Sequence, residues 1–206
     1  MNNKELTSKE SLEIITRMIE NTRRNIDHGQ GNHLIRWGVS NLITALIVHT
    51  AVTITSNGLF HWLWMLIPII GCTWTQLANK KRPQKVITHI DKMQTAIWST
   101  ILYMNIATPA AFAILWYFEI PIFMEYYKLF ALLPLISILT TSIGFIVTGA
   151  IIRFRPIVIG GAVGVILGYA TLHLPEYCTI IFALWALVAM IIPGIKLNIF
   201  ARHYNA

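Results

Sequence analysis

Charged residues are scarce in this chain, and their scarcity excludes most soluble folds. Only 12% of the 206 residues are Asp, Glu, Lys or Arg, whereas 55% are hydrophobic, and soluble domains carry about twice that charged share. A soluble protein of this length could not bury so much apolar surface. The net charge of +7 is placed in short segments between apolar runs, which is typical of membrane proteins and not of a nucleic-acid-binding surface.

Cysteines and catalytic motifs are also few. Cys72 and Cys178 are the only two cysteines, and they fall near opposite ends of different apolar runs, too far apart for a disulfide. The sequence has no nucleophile elbow, HExxH, P-loop or paired-carboxylate motif. We therefore expect no catalytic residue, cofactor or metal site, and the enzyme class is disfavoured.

The middle of each apolar run lacks Asp, Glu, Lys and Arg altogether. Ion-coupled transporters usually carry such a residue inside the membrane, so a coupled pump is disfavoured, whereas a facilitator remains open. The polar residues that do lie inside the runs form a possible intramembrane polar site: His49, Asn41, Asn105, Thr140 and Thr141. The alternative, which we favour for each of them, is a hydrogen bond between neighbouring helices.

Long apolar runs are what the chain has in abundance. Each is close to the roughly 20 residues that cross a bilayer core, and they cover residues 34–55, 59–78, 95–118, 127–152, 156–174 and 177–197. The sequence therefore predicts an all-α membrane bundle of six transmembrane helices, arranged as three hairpins by short turns. The predicted parts are a cytoplasmic N-terminal segment (1–33), the transmembrane domain (34–197) and a cytoplasmic tail (198–206).

The basic residues predict the orientation of this bundle. Residues 79–85 (NKKRPQK) form the densest basic cluster. If that cluster is cytoplasmic, fifteen of the 16 Lys and Arg residues lie on the cytoplasmic side and only Lys128 lies outside. Because cytoplasmic segments are enriched in Lys and Arg, we expect both termini in the cytoplasm of a bacterium and the chain in its inner membrane.

The polar N-terminal segment carries a helical pattern of its own. Leu12, Ile15, Met18 and Ile19 recur at helical spacing, which predicts an amphipathic helix over residues 8–27. Such a helix lies on the cytoplasmic membrane surface or under the bundle, or it docks a soluble partner.

Small residues form two stripes in the second half of the chain. The fifth run repeats Gly160, Gly164 and Gly168 every four residues, a motif of close helix packing. The fourth run presents a stripe on one helical face: Ser137, Thr140, Thr141, Gly144 and Thr148. We expect the two stripes to pack against each other; the alternatives are a homodimer through the glycines or a polar path along the hydroxyls.

The chain resembles small six-span inner-membrane proteins of bacteria in its N-terminal segment, residues 11–22, and in Trp37 and Gly38 of the first span. The resemblance implies the compartment but no activity or functional residue. Two functions remain. The first is a non-enzymatic membrane protein that acts through protein partners in an accessory, regulatory or scaffold role. The alternative is a small-solute facilitator or channel with a polar path near Ser137, Thr140 and Thr141.

Overall fold

The computed structural model describes residues 30–80, 89–118 and 132–204. The predicted amphipathic helix over 8–27, most of the basic cluster at 79–85 and Lys128 lie outside the described residues. Within them all regular structure is helical, which confirms the all-α prediction. Five helices are long and apolar enough to cross a membrane, by length and composition.

The described residues contain seven α-helices. They are α1 (Gln30–Thr55), α2 (Leu66–Asn79), α3 (His89–Tyr117), α4 (Leu132–Ile151), α5 (Arg155–His173), α6 (Cys178–Ala186) and α7 (Ile192–Tyr204). A π-helical turn, Leu187–Ile191, joins α6 to α7, and together they form one long span, Pro175–His203.

The second predicted span is composite, which is why it is not among the five long helices. It begins as an eight-residue 3₁₀ helix, Gly58–Met65, and continues as the 14-residue α2. The Asn57 side chain caps the 3₁₀ helix by accepting a hydrogen bond from the Leu59 amide at 2.9 Å. The hydropathy of residues 59–78 predicted the apolar segment but not the change of helix type inside it.

The turn between α4 and α5 is a tight helix stop. Arg153 has a positive φ of 55°, and the Phe154 amide donates to the Gly149 carbonyl at 2.9 Å. This is the hydrogen-bond pattern of a Schellman motif. Pro156 then stands in the first turn of α5, where a missing amide proton costs nothing. The two helices are therefore adjacent and antiparallel, as the short turn predicted.

The densest packing lies where α4, α5 and α6 meet. Trp185 is 1% exposed, and its indole Nε1 donates to the Ser142 hydroxyl at 3.0 Å. The Trp185 ring also lies 5.1 Å from the ring of Phe182 and 6.3 Å from that of Phe145. A Cβ at Gly164 would come within 2.6 Å of the Trp185 Nε1. Gly164 therefore leaves the space that the tryptophan and its hydrogen bond occupy.

The glycines of α5 do pack against α4, but not against the predicted stripe. Gly161 lies against Ser142 and Ile146, and Gly168 lies against Leu139 and Ile138. Gly160 faces the other way, toward Ala189 and Pro193 of the last span. Close packing needs small residues on one helix only, because bulky side chains of the other helix fill the groove above them.

The predicted stripe on α4 lies on a different face, so the expected pairing of the two stripes is wrong. Gly144 lies against Ile101 and Trp98 of α3. Thr140 accepts a hydrogen bond from the side-chain amide of Asn105, which also lies on α3, at 3.3 Å. Helix α4 thus stands between α5 and α3, with Ile138, Leu139, Ser142 and Ile146 on the glycines and with Thr140 and Gly144 on α3.

A second glycine contact, absent from our prediction, joins α1 to the last span. A Cβ at Gly38 would lie 2.9 Å from the Met190 Cβ, and one at Gly194 would lie 3.0 Å from the Gly31 carbonyl. Asn198 strengthens this contact by donating to the Asn32 side chain at 2.7 Å. Helix α1 therefore belongs to the compact part of the bundle.

The two outer helices are attached on one side only. Helix α2 packs on α1, where the Trp37 indole donates to the Thr75 hydroxyl at 3.2 Å. Helix α3 packs mainly on α4, and among the described residues α2 and α3 share no extensive contact with each other. The result is a compact group of α1, α4, α5 and the last span, with α2 and α3 flanking a cleft.

Candidate functional site

The described residues bound a long cleft between α2 and α3. Its volume is about 1280 Å³, above the range of about 300–1,000 Å³ that is usual for small-molecule pockets. The floor is formed by α1, α4 and the last span. Most of the apolar lining is aliphatic, and aromatic rings contribute to it as well: Trp37, Trp64, Trp98, Phe112, Phe145 and Phe182.

The cleft extends along most of the bundle. Helix α1 lines the cleft near both of its ends, between His33 and Asn41 and at Val52, and Ser56 lines it just beyond the helix. His33 and Ser56 are about 35 Å apart at the rise of an α-helix. Asp91 lines the same end as His33, and Phe112 lines the opposite end with His61. This length matches the roughly 30 Å of a bilayer's hydrocarbon core.

Polar groups interrupt the apolar lining at mid-depth on α3 and α4. The Asn105 amide donates to the Ile101 carbonyl at 2.9 Å and to the Thr140 hydroxyl at 3.3 Å. Thr140 in turn donates to the Ile136 carbonyl at 2.8 Å. The Asn105 amide oxygen accepts no hydrogen bond from another described residue, so it is available to a molecule in the cleft.

Two hydroxyls of α4 lie beside this amide. Ser137 and Thr141 both line the cleft and are partly exposed to it. Among the described residues neither hydroxyl is hydrogen-bonded. Together with Asn105 they form a short polar band that can bind a hydroxyl or carbonyl group.

The remaining predicted polar residues separate into two groups. Asn41 lines the cleft, but its amide donates to the Trp37 carbonyl of its own helix at 2.7 Å. His49 does not line it. Its Nδ1 is 2.9 Å from the Thr179 hydroxyl, a contact that joins α1 to α6. The structure therefore brings Asn41, Asn105, Thr140 and Thr141 to or beside the cleft and leaves His49 in the packed part.

The charged end of the cleft is a feature that sequence reasoning missed. Of the Asp, Glu, Lys and Arg residues among the described residues, two line the cleft: Arg36 and Asp91. Both stand near the N-terminus of their helix, so they lie at the same end. The sequence signal for it is the position of Arg36, which follows the start of the first apolar run.

Thr148 adds an unsatisfied hydroxyl toward this end. It lines the cleft on α4 and is 8% exposed, and its Oγ1 is buried with no hydrogen-bond partner. Buried hydroxyls are usually bonded, and this one has no partner among the described residues, but its oxygen is covered and does not face the open cleft.

The described residues offer no alternative metal centre. No three His, Cys, Asp or Glu side chains among them lie close enough together to hold a metal ion. Both cysteines are free thiols.

Comparison with known proteins assigns no family to this arrangement. No protein-family model, curated protein or solved structure matches the chain. The function is therefore argued from the cleft itself.

Proposed function

We propose that the chain is a multi-pass protein of the bacterial inner membrane with six spans and both termini in the cytoplasm. The five long helices support five of these spans. For the sixth, the 3₁₀ helix and α2 together extend about 37 Å at the rises of the two helix types. That length is enough for the hydrocarbon core. The fifteen-to-one partition of Lys and Arg supports the orientation.

Reporter fusions test this topology. A phosphatase that is active only outside the cytoplasm should be active when fused after Asn57 and inactive when fused after Lys80. Activity after Lys80 and none after Asn57 would reverse the orientation, and equal results at both sites would remove the second span.

We propose further that the protein is a non-enzymatic facilitator that lets a small organic solute cross through the cleft. The observation that supports this most is the length of the cleft, about 35 Å along α1, with the polar band of Asn105, Ser137 and Thr141 at mid-depth. A solute that loses its hydration on entry could form hydrogen bonds there. The described lining has no Asp, Glu, Lys or Arg at this depth that would bind the solute too tightly.

Flux into liposomes tests the facilitator. The purified protein should raise the entry of neutral polyols, such as glycerol, erythritol and xylitol, above that of empty vesicles. Thr141→Trp should abolish the increase, because the indole narrows the cleft at the polar band. Ile143→Trp is the matched control, since Ile143 is on the same helix and 57% exposed. Flux equal to that of empty vesicles, or equal in both variants, would overturn the proposal.

A second candidate is a protein that acts through partners in the membrane or at its cytoplasmic surface. One observation favours it: α3 is attached mainly to α4 and exposes a row of large apolar side chains, Tyr103, Ile106, Ile114 and Tyr117. A partner helix or a second copy could cover this row, as lipid does. Deletion of residues 1–28 should then abolish the cellular phenotype while insertion is retained, whereas a facilitator would keep its flux.

A further inference from the structure

We propose that the occupant of the cleft is a single-chain anionic amphiphile whose acidic head binds Arg36 and whose chain lies along the apolar lining. This inference rests on the proposed function, because it names the class of molecule that the same cleft takes. It is drawn from two features of the cleft: its shape and the position of Arg36, the one Lys or Arg in its described lining.

The shape favours a long apolar molecule. The cleft is much larger than a small polar solute and most of its lining is apolar, so a long apolar molecule could occupy it beside the polar band along which the solute is proposed to pass. A hydrocarbon chain gains about 0.8 kcal/mol for each methylene removed from water. The partly exposed rings of Trp37, Trp64 and Trp98 supply apolar surface to such a chain.

The route of entry is consistent with a lipid-like molecule. Helices α2 and α3 bound the cleft on its two sides, and among the described residues they share no extensive contact. A chain already dissolved in the bilayer could therefore pass between them without crossing water.

Arg36 fixes the position of the head. Its side chain is half-buried and lines the end of the cleft, and within the described part of the chain it makes no hydrogen bond or ion pair. A guanidinium binds carboxylate or phosphate through two parallel hydrogen bonds. The proposed orientation places this end at the cytoplasmic headgroup level, where the head of a lipid-like molecule would lie.

Thr148 lies on α4 toward the same end. Its Oγ1 is covered by neighbouring atoms, so the head contacts Arg36 and not this hydroxyl. Asp91 also lines this end. Its carboxylate would repel an acidic head, so its removal distinguishes an anionic head from a zwitterionic one.

Binding to the purified full-length protein tests the proposal. Tritiated palmitate and lysophosphatidic acid represent the two sources of this chemistry, free fatty acid and phospholipid, and palmityl alcohol supplies the same chain without charge. At least one acid should bind more tightly than the alcohol. Arg36→Gln should weaken that acid about tenfold, the size expected for a lost hydrogen bond to a charged group, and leave the alcohol unchanged. Arg155→Gln, at an exposed site at the start of α5, is the matched control.

Several results would overturn the inference. Equal weakening by Arg36→Gln and Arg155→Gln would mean that surface charge attracts the acid. Asp91→Asn should leave the affinity for the acid unchanged or raise it. If Asp91→Asn instead lowers that affinity, and lysophosphatidylcholine binds more tightly than either acid, the head is zwitterionic. Polyol flux without acid binding would leave the facilitator standing and remove this ligand. Arg36-dependent binding without flux would keep the ligand and remove the facilitator.

Discussion

The two sides of this bundle are built on opposite principles. Around Trp185, the helices α4, α5 and α6 approach so closely that a methyl group at Gly164 has no room. Between α2 and α3 the same chain encloses a cleft of about 1280 Å³. This difference indicates that contacts on the packed side stabilise the fold, so the side with the cleft can hold another molecule. Four substitutions test how sharp this division is.

The largest effect is expected from Gly164→Leu on the packed side. The new side chain would displace the Trp185 indole and break its bond to Ser142, and overpacking of this kind costs roughly 1–3 kcal/mol or more. We expect strongly reduced yield and loss of a monodisperse peak in detergent size-exclusion chromatography. Ala162→Leu, at an exposed position of the same helix, is the control. Normal yield and thermal stability of the Gly164 variant would show that α4, α5 and α6 are not tightly packed.

Trp185→Phe should have the next largest effect. The ring is retained, but the hydrogen bond from Nε1 to Ser142 Oγ is lost and the hydroxyl is left buried without a donor. A cost of about 1–3 kcal/mol is expected for such a group. Thermal unfolding in detergent measures it. Adding Ser142→Ala should recover part of the loss, since the pair is coupled; additive losses would contradict the bond. Trp62→Phe, at a 53% exposed ring, is the control.

Thr179→Val should have a smaller effect, because it removes one interhelical hydrogen bond within an otherwise intact contact. His49 Nδ1 and the Thr179 hydroxyl are 2.9 Å apart, and such bonds contribute about 0.6 kcal/mol on average in membrane proteins. The double variant with His49→Leu should cost less than the two single variants together. A loss of activity without loss of stability would instead give His49 a role in function.

The smallest effect on stability is expected on the open side. Thr141→Trp places the largest side chain into existing space and breaks no hydrogen bond among the described residues. Its melting temperature should therefore stay within about 2–4 °C of the original, a shift that corresponds to about 1 kcal/mol in a chain of this size. Destabilisation as severe as that of Gly164→Leu would mean that the cleft is narrower than the structure indicates, and the contrast between the two sides would fail.

Hydropathy and glycine spacing predicted much of the packed side. Apolar runs of membrane length gave the all-helical class and the limits of most helices, because each run must satisfy its own backbone hydrogen bonds. The repeat of Gly160, Gly164 and Gly168 correctly marked a close helix contact. The partner face on α4 was wrong, because matching small residues to small residues ignores the bulky side chains that fill glycine grooves.

The open side was harder to predict because nothing local encodes it. Asn105, Ser137 and Thr141 were visible as polar residues inside apolar runs, but their gathering at one cleft depends on how far α3 stands from α1 and α2. Arg36 and Thr148 are ordinary residues in the sequence. They become notable only once one is found without a described partner and the other with a buried, unbonded hydroxyl.

The π turn at Leu187–Ile191 sets the phase of the last span. A π turn accommodates one residue more than an α-turn, so side chains after it are rotated by about 100° from where an uninterrupted α-helix would place them. That rotation allows α6 to direct Trp185 toward α4 while α7 directs Gly194 toward Gly31 of α1. A single-residue deletion in this turn would therefore rotate α6 relative to α7, so that the two helices could not both keep their present contacts. The span would remain long and apolar enough to insert.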